Sequence, residues 1–175
     1  RYGWIGGPGA LLRDLQIGLH DFAPGEHVFS EGYARRFHTM MIEPSIYLTE
    51  LLAEVQGAGA RIGIRTFADA NEVLSLPEAV LFNCTGLGAK QLFGDEELMP
   101  IKGQLTFLMP QPEVNYNLIT DTLYMFPRAD GILLGGSYQK GQWNVEPDPA
   151  IRDAMLKGHQ ALFEGMRKIQ LESRA

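Results

Sequence analysis

The chain has 175 residues, 45% hydrophobic and 21% charged, with a formal net charge of −6. A compact chain of this length buries roughly 70% of its unfolded surface, so a proper core is within reach, and the acidic balance argues against a nucleic-acid footprint. One cysteine excludes an internal disulfide framework, and no apolar run approaches the length of a membrane span.

Residues 1–37 carry little regular pattern: "GWIGGPGALL" is turn-rich, and Pro24-Gly25 marks a turn between short apolar pieces. A first helix begins near Pro44, which suits a first helical turn because its missing N–H would be unpaired there. Leu48, Leu51, Leu52 and Val55 follow the i, i+3, i+4, i+7 pattern of a buried face, and Gly57 and Gly59 stop the helix. "ARIGIRTF" reads as a short strand and "EAVLFNCTG" as a second, apolar on both faces, as in sheets covered on both sides.

After Pro100 the pattern alternates. In "IKGQLTFLM", Ile101, Leu105, Phe107 and Met109 share one side and Lys102, Gln104 and Thr106 the other, which predicts a half-buried antiparallel strand. "NLITDTLYMFPR" and "GILLGGSYQ" read as two more, joined at Arg128-Ala129-Asp130-Gly131, where Asp-Gly signals a hairpin. A last helix follows, with Asp148 as its cap, Pro149 in its first turn, and Ile151, Met155 and Leu162 on one face. The expected class is α/β with an antiparallel, α+β part. The expected divisions are an irregular leading segment over 1–42, an α/β portion over 43–100, an antiparallel sheet over 101–145, and a closing helix and tail over 146–175.

The candidate chemistry is sparse. His20, Glu26, His27, His38 and Glu43 lack any recognised ligand spacing, so no metal site is assigned. Cys84 closes an apolar strand with no partner base in sight and reads as inert. Asn83-Cys84-Thr85 matches the glycosylation pattern, but the end of a buried strand is the wrong place for it. Gly86-Leu87-Gly88 opens a dinucleotide fingerprint that fails at Gln91, where the third glycine is required. Arg65 and Arg128, at strand ends, read as solvated charges. Tyr124 has two readings: a core aromatic whose hydroxyl finds a backbone partner, or a hydroxyl aimed into a pocket to bind a carboxylate. Patterning alone favours the first. No residue is assigned as catalytic.

Taken together, "FHTMMIEPSIYLTELL", "VLFNCTGLGAKQL", "PIKGQL" and "LYMFPRADGILLGGSYQKGQW" resemble, in order and spacing, the D-amino-acid oxidases of the FAD-dependent amino-acid oxidase group. The specific part is "LGGSYQKGQW" after "YMFPR", where Gly135, Gly136, Gln139, Gly141 and Trp143 fall into register; the resemblance covers residues 33–165 in outline. It implies an FAD-binding α/β domain interleaved with an antiparallel-sheet substrate domain. It sets Thr66, Phe67, Thr85 and Gly86 beside the cofactor's adenosine part and Tyr124 on the substrate carboxylate. The implied reaction is oxidative deamination of a D-amino acid by hydride transfer from Cα to flavin, with O2 as electron acceptor and no general base required of this chain.

The departures are specific. The family's phosphate-binding glycine loop, its second substrate anchor (an arginine) and its final glycine-rich flavin segment have no match here, so this stretch alone is expected not to hold FAD. The family's lid tyrosine, four residues before Tyr124, is Thr120 here, and the lid around "TDT" is short. Other small amines or amino acids, such as glycine or a D-aspartate-like substrate, stay open. So does a degenerate, non-enzymatic homologue. The chain starts at Arg1, so any targeting segment is expected to lie upstream; a cytoplasmic location is the expectation on composition.

Overall fold

The computed structural model describes residues 15–29 and 32–172; the "GWIGGPGALL" turn segment lies outside the described residues. Helices and antiparallel sheets make up the structure, which is α+β in class. Two compact units divide the chain: Arg1–Glu50 with Leu156–Ala175, and Leu51–Met155.

In the first unit, β1 (Ile17–Phe22) and β2 (Ala34–His38) pair antiparallel, with His20 opposite Arg36 and Phe22 opposite Ala34. This ribbon is more order than the composition of residues 1–42 announces. Its local cause is a cluster of side-chain contacts within β1 and across to β2. The His20 ring meets Phe22 edge-on with centroids 4.4 Å apart, Arg36 lies 5.4 Å over the Phe22 ring, and Arg35 Nη2 donates to Asp21 Oδ2 at 2.8 Å. The Arg35 hydrogen bond holds the Asp21 carboxyl below its usual value. The pair's contribution is therefore complete above the ordinary carboxylate range and is lost as pH falls through the lowered value. At the turn, Gly25 takes φ +87° and Ala23 N donates to Glu26 Oε2 at 2.8 Å.

Helix α1 spans Pro44–Gly57, as the sequence predicts. It closes in a Schellman motif: Ala60 N donates to Val55 O at 3.2 Å and Gly59 N to Gln56 O at 2.9 Å, with Gly59 at φ +96°. The predicted buried face is not buried, since Leu48, Leu51, Leu52 and Val55 are all exposed.

In the second unit the two expected strands of the α/β part do not form. Residues 61–67 and 79–84 carry no ladder, and Ile62, Ile64, Val80 and Phe82 are exposed. An apolar run becomes a strand only when a neighbour accepts its backbone bonds, and no described strand lies alongside these. Short helices follow each run, α2 (Ala70–Leu74) and α3 (Ala89–Phe93). Asp69 caps α2, accepting from Glu72 N at 3.0 Å, and Gly94 ends α3 in the left-handed conformation at φ +68°.

The ordered core is a four-stranded antiparallel sheet in the order β4 (Thr106–Leu108), β7 (Gly131–Gly135), β6 (Tyr124–Arg128), β5 (Leu118–Ile119). A second, two-stranded sheet pairs β3 (Ile101–Lys102) with β8 (Gln139–Lys140). The predicted strand over 101–109 is therefore split at Gly103–Leu105 between two sheets, and the predicted strand over 117–128 is folded into the β5–β6 hairpin. The β6–β7 connection falls where Asp-Gly marks it, with Arg128 opposite Gly131. Gly131 sits at φ +149°, and a Cβ there would stand 2.5 Å from the Leu108 carbonyl oxygen.

Gln104, between β3 and β4, holds the residue before the last helix, α4 (Pro149–Glu172): its Nε2 donates to Asp148 O at 2.9 Å and its Oε1 accepts from Asp148 N at 2.7 Å. Asp148 caps α4 as predicted, accepting from Ala150 N at 2.8 Å, and Met155 is buried.

Candidate functional site

Strand pairing sorts the four-stranded sheet into two faces, because paired residues project to the same side. Leu118, Met125, Ile132 and Leu134 share one face, and the last three are each 3% exposed. The other face carries Ile119, Tyr124, Phe126, Arg128, Phe107 and Leu133. It is apolar and open along its outer strands, with Phe107 51% and Ile119 62% exposed, while Leu133 on the central strand β7 is 8% exposed. The alternation in "IKGQLTFLM" is real, but its burial runs opposite to the expectation. Thr106, in register with Leu134, belongs to the buried face, and Phe107 looks onto the open one.

Tyr124 stands half-buried on this open face, directly across from Gly135. Its ring lies 5.3 Å from that of Phe126, centroid to centroid. The approach to Tyr124 is a tight turn fastened by Thr120. Thr120 Oγ1 accepts from Leu123 N at 2.9 Å, and Thr120 N donates to Leu123 O at 2.8 Å. A tyrosine at that position would remove the hydroxyl that staples the turn, so Thr120 is part of the turn's own closure. Arg128 is engaged by Asp130, with Nη2 2.7 Å from Oδ2 and Nε 2.9 Å from Oδ1, and its guanidinium lies 5.5 Å over the Phe107 ring. The reading of Arg128 as a solvated charge is thereby corrected: two-residue spacing across the turn gives it a bidentate partner.

The other predicted residues lie in two separate places, Thr66 and Phe67 in an irregular segment and Thr85 and Gly86 at the start of a 3-10 turn over Gly86–Gly88. Thr66 is exposed and Phe67 half-buried, with the Arg65 guanidinium 4.8 Å over the Phe67 ring. Asn83 Oδ1 accepts from Thr85 Oγ1 at 2.7 Å and from Thr85 N at 3.2 Å, which turns the chain sharply before Gly86. Gly86 takes φ +55°, and nothing lies within 4 Å of where a Cβ would be. Cys84 is exposed, contrary to a buried inert thiol, because the run it closes joins no sheet. Among the described residues no three histidine, cysteine, aspartate or glutamate side chains gather as metal ligands. No described helix is long and apolar enough to cross a membrane.

Residues 19–175 match the family model for FAD dependent oxidoreductases (DAO). The chain belongs to this family. It is 34% identical over 151 residues to a D-amino-acid oxidase of Rubrobacter xylanophilus, covering 80% of this chain and 44% of that protein. It is 31% identical over 128 residues to a D-amino-acid oxidase of Streptomyces coelicolor, covering 70% of this chain and 39% of the relative. It is 34% identical over 119 residues to a human D-aspartate oxidase, covering 66% of this chain and 34% of that protein. The chain thus spans less than half the length of these relatives. FAD is the cofactor of the family. The open, uncharged backbone at Thr85–Gly86 and the exposed Thr66 fit a neutral part of such a group, since a bare Cα in open space lets a ligand meet the backbone. They do not fit its diphosphate, because no complete G-x-G-x-x-G stands in the chain.

Two contributions were not legible in the residue pattern. One is the stapling role of Thr120. The other is the glycine beneath Tyr124, whose only signal is a Gly pair ending an otherwise bulky strand, "GILLGG".

Proposed function

We propose that the full-length protein catalyses oxidative deamination of D-amino acids, with this chain supplying the substrate-carboxylate donor and part of the FAD surface. The observation that carries this reading is Tyr124 on an apolar sheet face, its ring beside Phe126 and cross-strand from Ile119, with Phe107 farther along the same face. A donor set in apolar surroundings binds a carboxylate with less competition from water. Thr66, Phe67, Thr85 and Gly86 are assigned to the adenosine part of FAD, residues 43–100 to the cofactor domain and residues 101–145 to the substrate sheet. When bound, FAD supplies the two-electron acceptor for the Cα–H hydride and passes the electrons to O2. Tyr124 fixes the carboxylate, and the face around it accommodates an uncharged side chain. The imino acid so formed hydrolyses to a 2-keto acid and ammonia.

A D-aspartate-type substrate is the second reading, favoured by the human relative's 34% identity. The cation on Tyr124's face, Arg128, already balances Asp130, which supports the neutral substrate. Steady-state assays on the full-length protein test this. D-alanine should give 2-keto acid and peroxide in equal amounts and L-alanine neither. Turnover of D-aspartate in place of D-alanine would move the assignment to the second reading, and no turnover of either would leave a non-enzymatic homologue.

A further inference from the structure

We infer that Gly135 is a positioning residue for Tyr124: the space its missing side chain leaves is the seat of the tyrosine ring. The two residues are a cross-strand pair of β6 and β7. A Cβ at Gly135 would lie 2.0 Å from both Cε2 and Cζ of Tyr124 and 2.4 Å from its hydroxyl oxygen, where real Cβ contacts are essentially never under 3.0 Å. All three atoms belong to the far end of the side chain. The strand can therefore persist with a larger residue at 135, but the ring cannot stay where it is, and the hydroxyl moves with it.

Gly136 differs in kind. Its Cβ would stand 2.2 Å from the Thr122 carbonyl oxygen at φ +137°, so it holds backbone and not a side chain. The pair thus divides the work: Gly136 admits the Thr120–Leu123 turn and Gly135 admits the ring that follows it. A glycine inside a strand also forgoes packing and costs backbone entropy. At the end of β7, after Ile132, Leu133 and Leu134, that cost is met where the Tyr124 ring takes the space of a side chain. The Phe126 ring, 5.3 Å away, stands on the same face.

The functional half of this inference rests on Tyr124 being the carboxylate donor, and the structural half does not. The test uses the FAD-loaded full-length protein and its Gly135→Ala, Tyr124→Leu, double and Gly103→Ala variants. Melting temperature and the Kd of propanoate by calorimetry are measured on each. Leucine lacks the three atoms nearest the new methyl group, so the double variant separates the ring from the backbone. Gly135→Ala is expected to weaken propanoate about tenfold, no more than loss of the hydroxyl itself, and to lower the melting temperature. In the Tyr124→Leu background the same change should leave the propanoate Kd where Tyr124→Leu alone puts it and should hold or raise the melting temperature, because alanine loses less backbone entropy in a strand. Gly103→Ala, with its nearest neighbour 3.8 Å away, should change neither. An equal loss of stability in both backgrounds, or a double variant that does not fold, overturns the inference. So does an unchanged propanoate Kd in Gly135→Ala when Tyr124→Phe shifts it. If Tyr124→Phe itself leaves propanoate binding intact, the carboxylate assignment fails, while the melting temperatures still decide whether Gly135 seats the ring.

Discussion

Leu134→Ala is expected to destabilise the full-length protein by about 2–5 kcal/mol. The residue lies in β7, which has a strand on either side, and it pairs with Thr106 of β4 and Met125 of β6. It is 3% exposed, as are Met125 and Ile132 on the same face, so truncation leaves a cavity that three neighbouring strands cannot close together. Ile119→Ala provides the contrast. Ile119 is on the open face of the short edge strand β5, and its loss should cost about 0.5 kcal/mol or less. Chemical denaturation of both variants measures the difference. Similar losses at the two sites would mean that the open face is covered in the full-length protein as fully as the buried one.

Tyr124→Phe is expected to raise the Kd of a simple carboxylate about ten- to hundredfold, the equivalent of one hydrogen bond to a charged group at about 1.5–3 kcal/mol. The ring is kept, so its seat over Gly135 and its contact with Phe126 survive and the melting temperature should hardly move. That combination separates a binding role from a packing one. A variant with unchanged affinity and lowered stability would return Tyr124 to the reading that patterning alone favours, a core aromatic whose hydroxyl serves the fold.

The sequence was most legible where local chemistry decides the structure. Pro44 and Gly59 bracket α1, Asp148 and Pro149 begin α4, and Asp130-Gly131 ends the β6–β7 turn, each through bonds made within a few residues. It was least legible where the outcome depends on what lies alongside. The runs at 61–67 and 79–84 have strand composition but no ladder partner among the described residues, so Ile64 and Phe82 are exposed. The alternation of Phe107 against Thr106 fixes two faces and not which of them is inside; that is settled by Met125, Ile132 and Leu134 gathering on the Thr106 side. The family was legible because "YMFPR" and "LGGSYQKGQW" constrain several positions at once. The geometric reason for one of those glycines, the ring above Gly135, arises only when β6 and β7 pair.

The proposed function makes this chain part of a flavin-dependent oxidase acting on a D-amino acid. The visible spectrum of the purified full-length protein tests it most directly. Flavin absorbance bleached anaerobically by D-alanine, untouched by L-alanine and restored by air is the expected result. A well-folded full-length protein without flavin, or one whose flavin D-alanine and D-aspartate both leave oxidised, would contradict it.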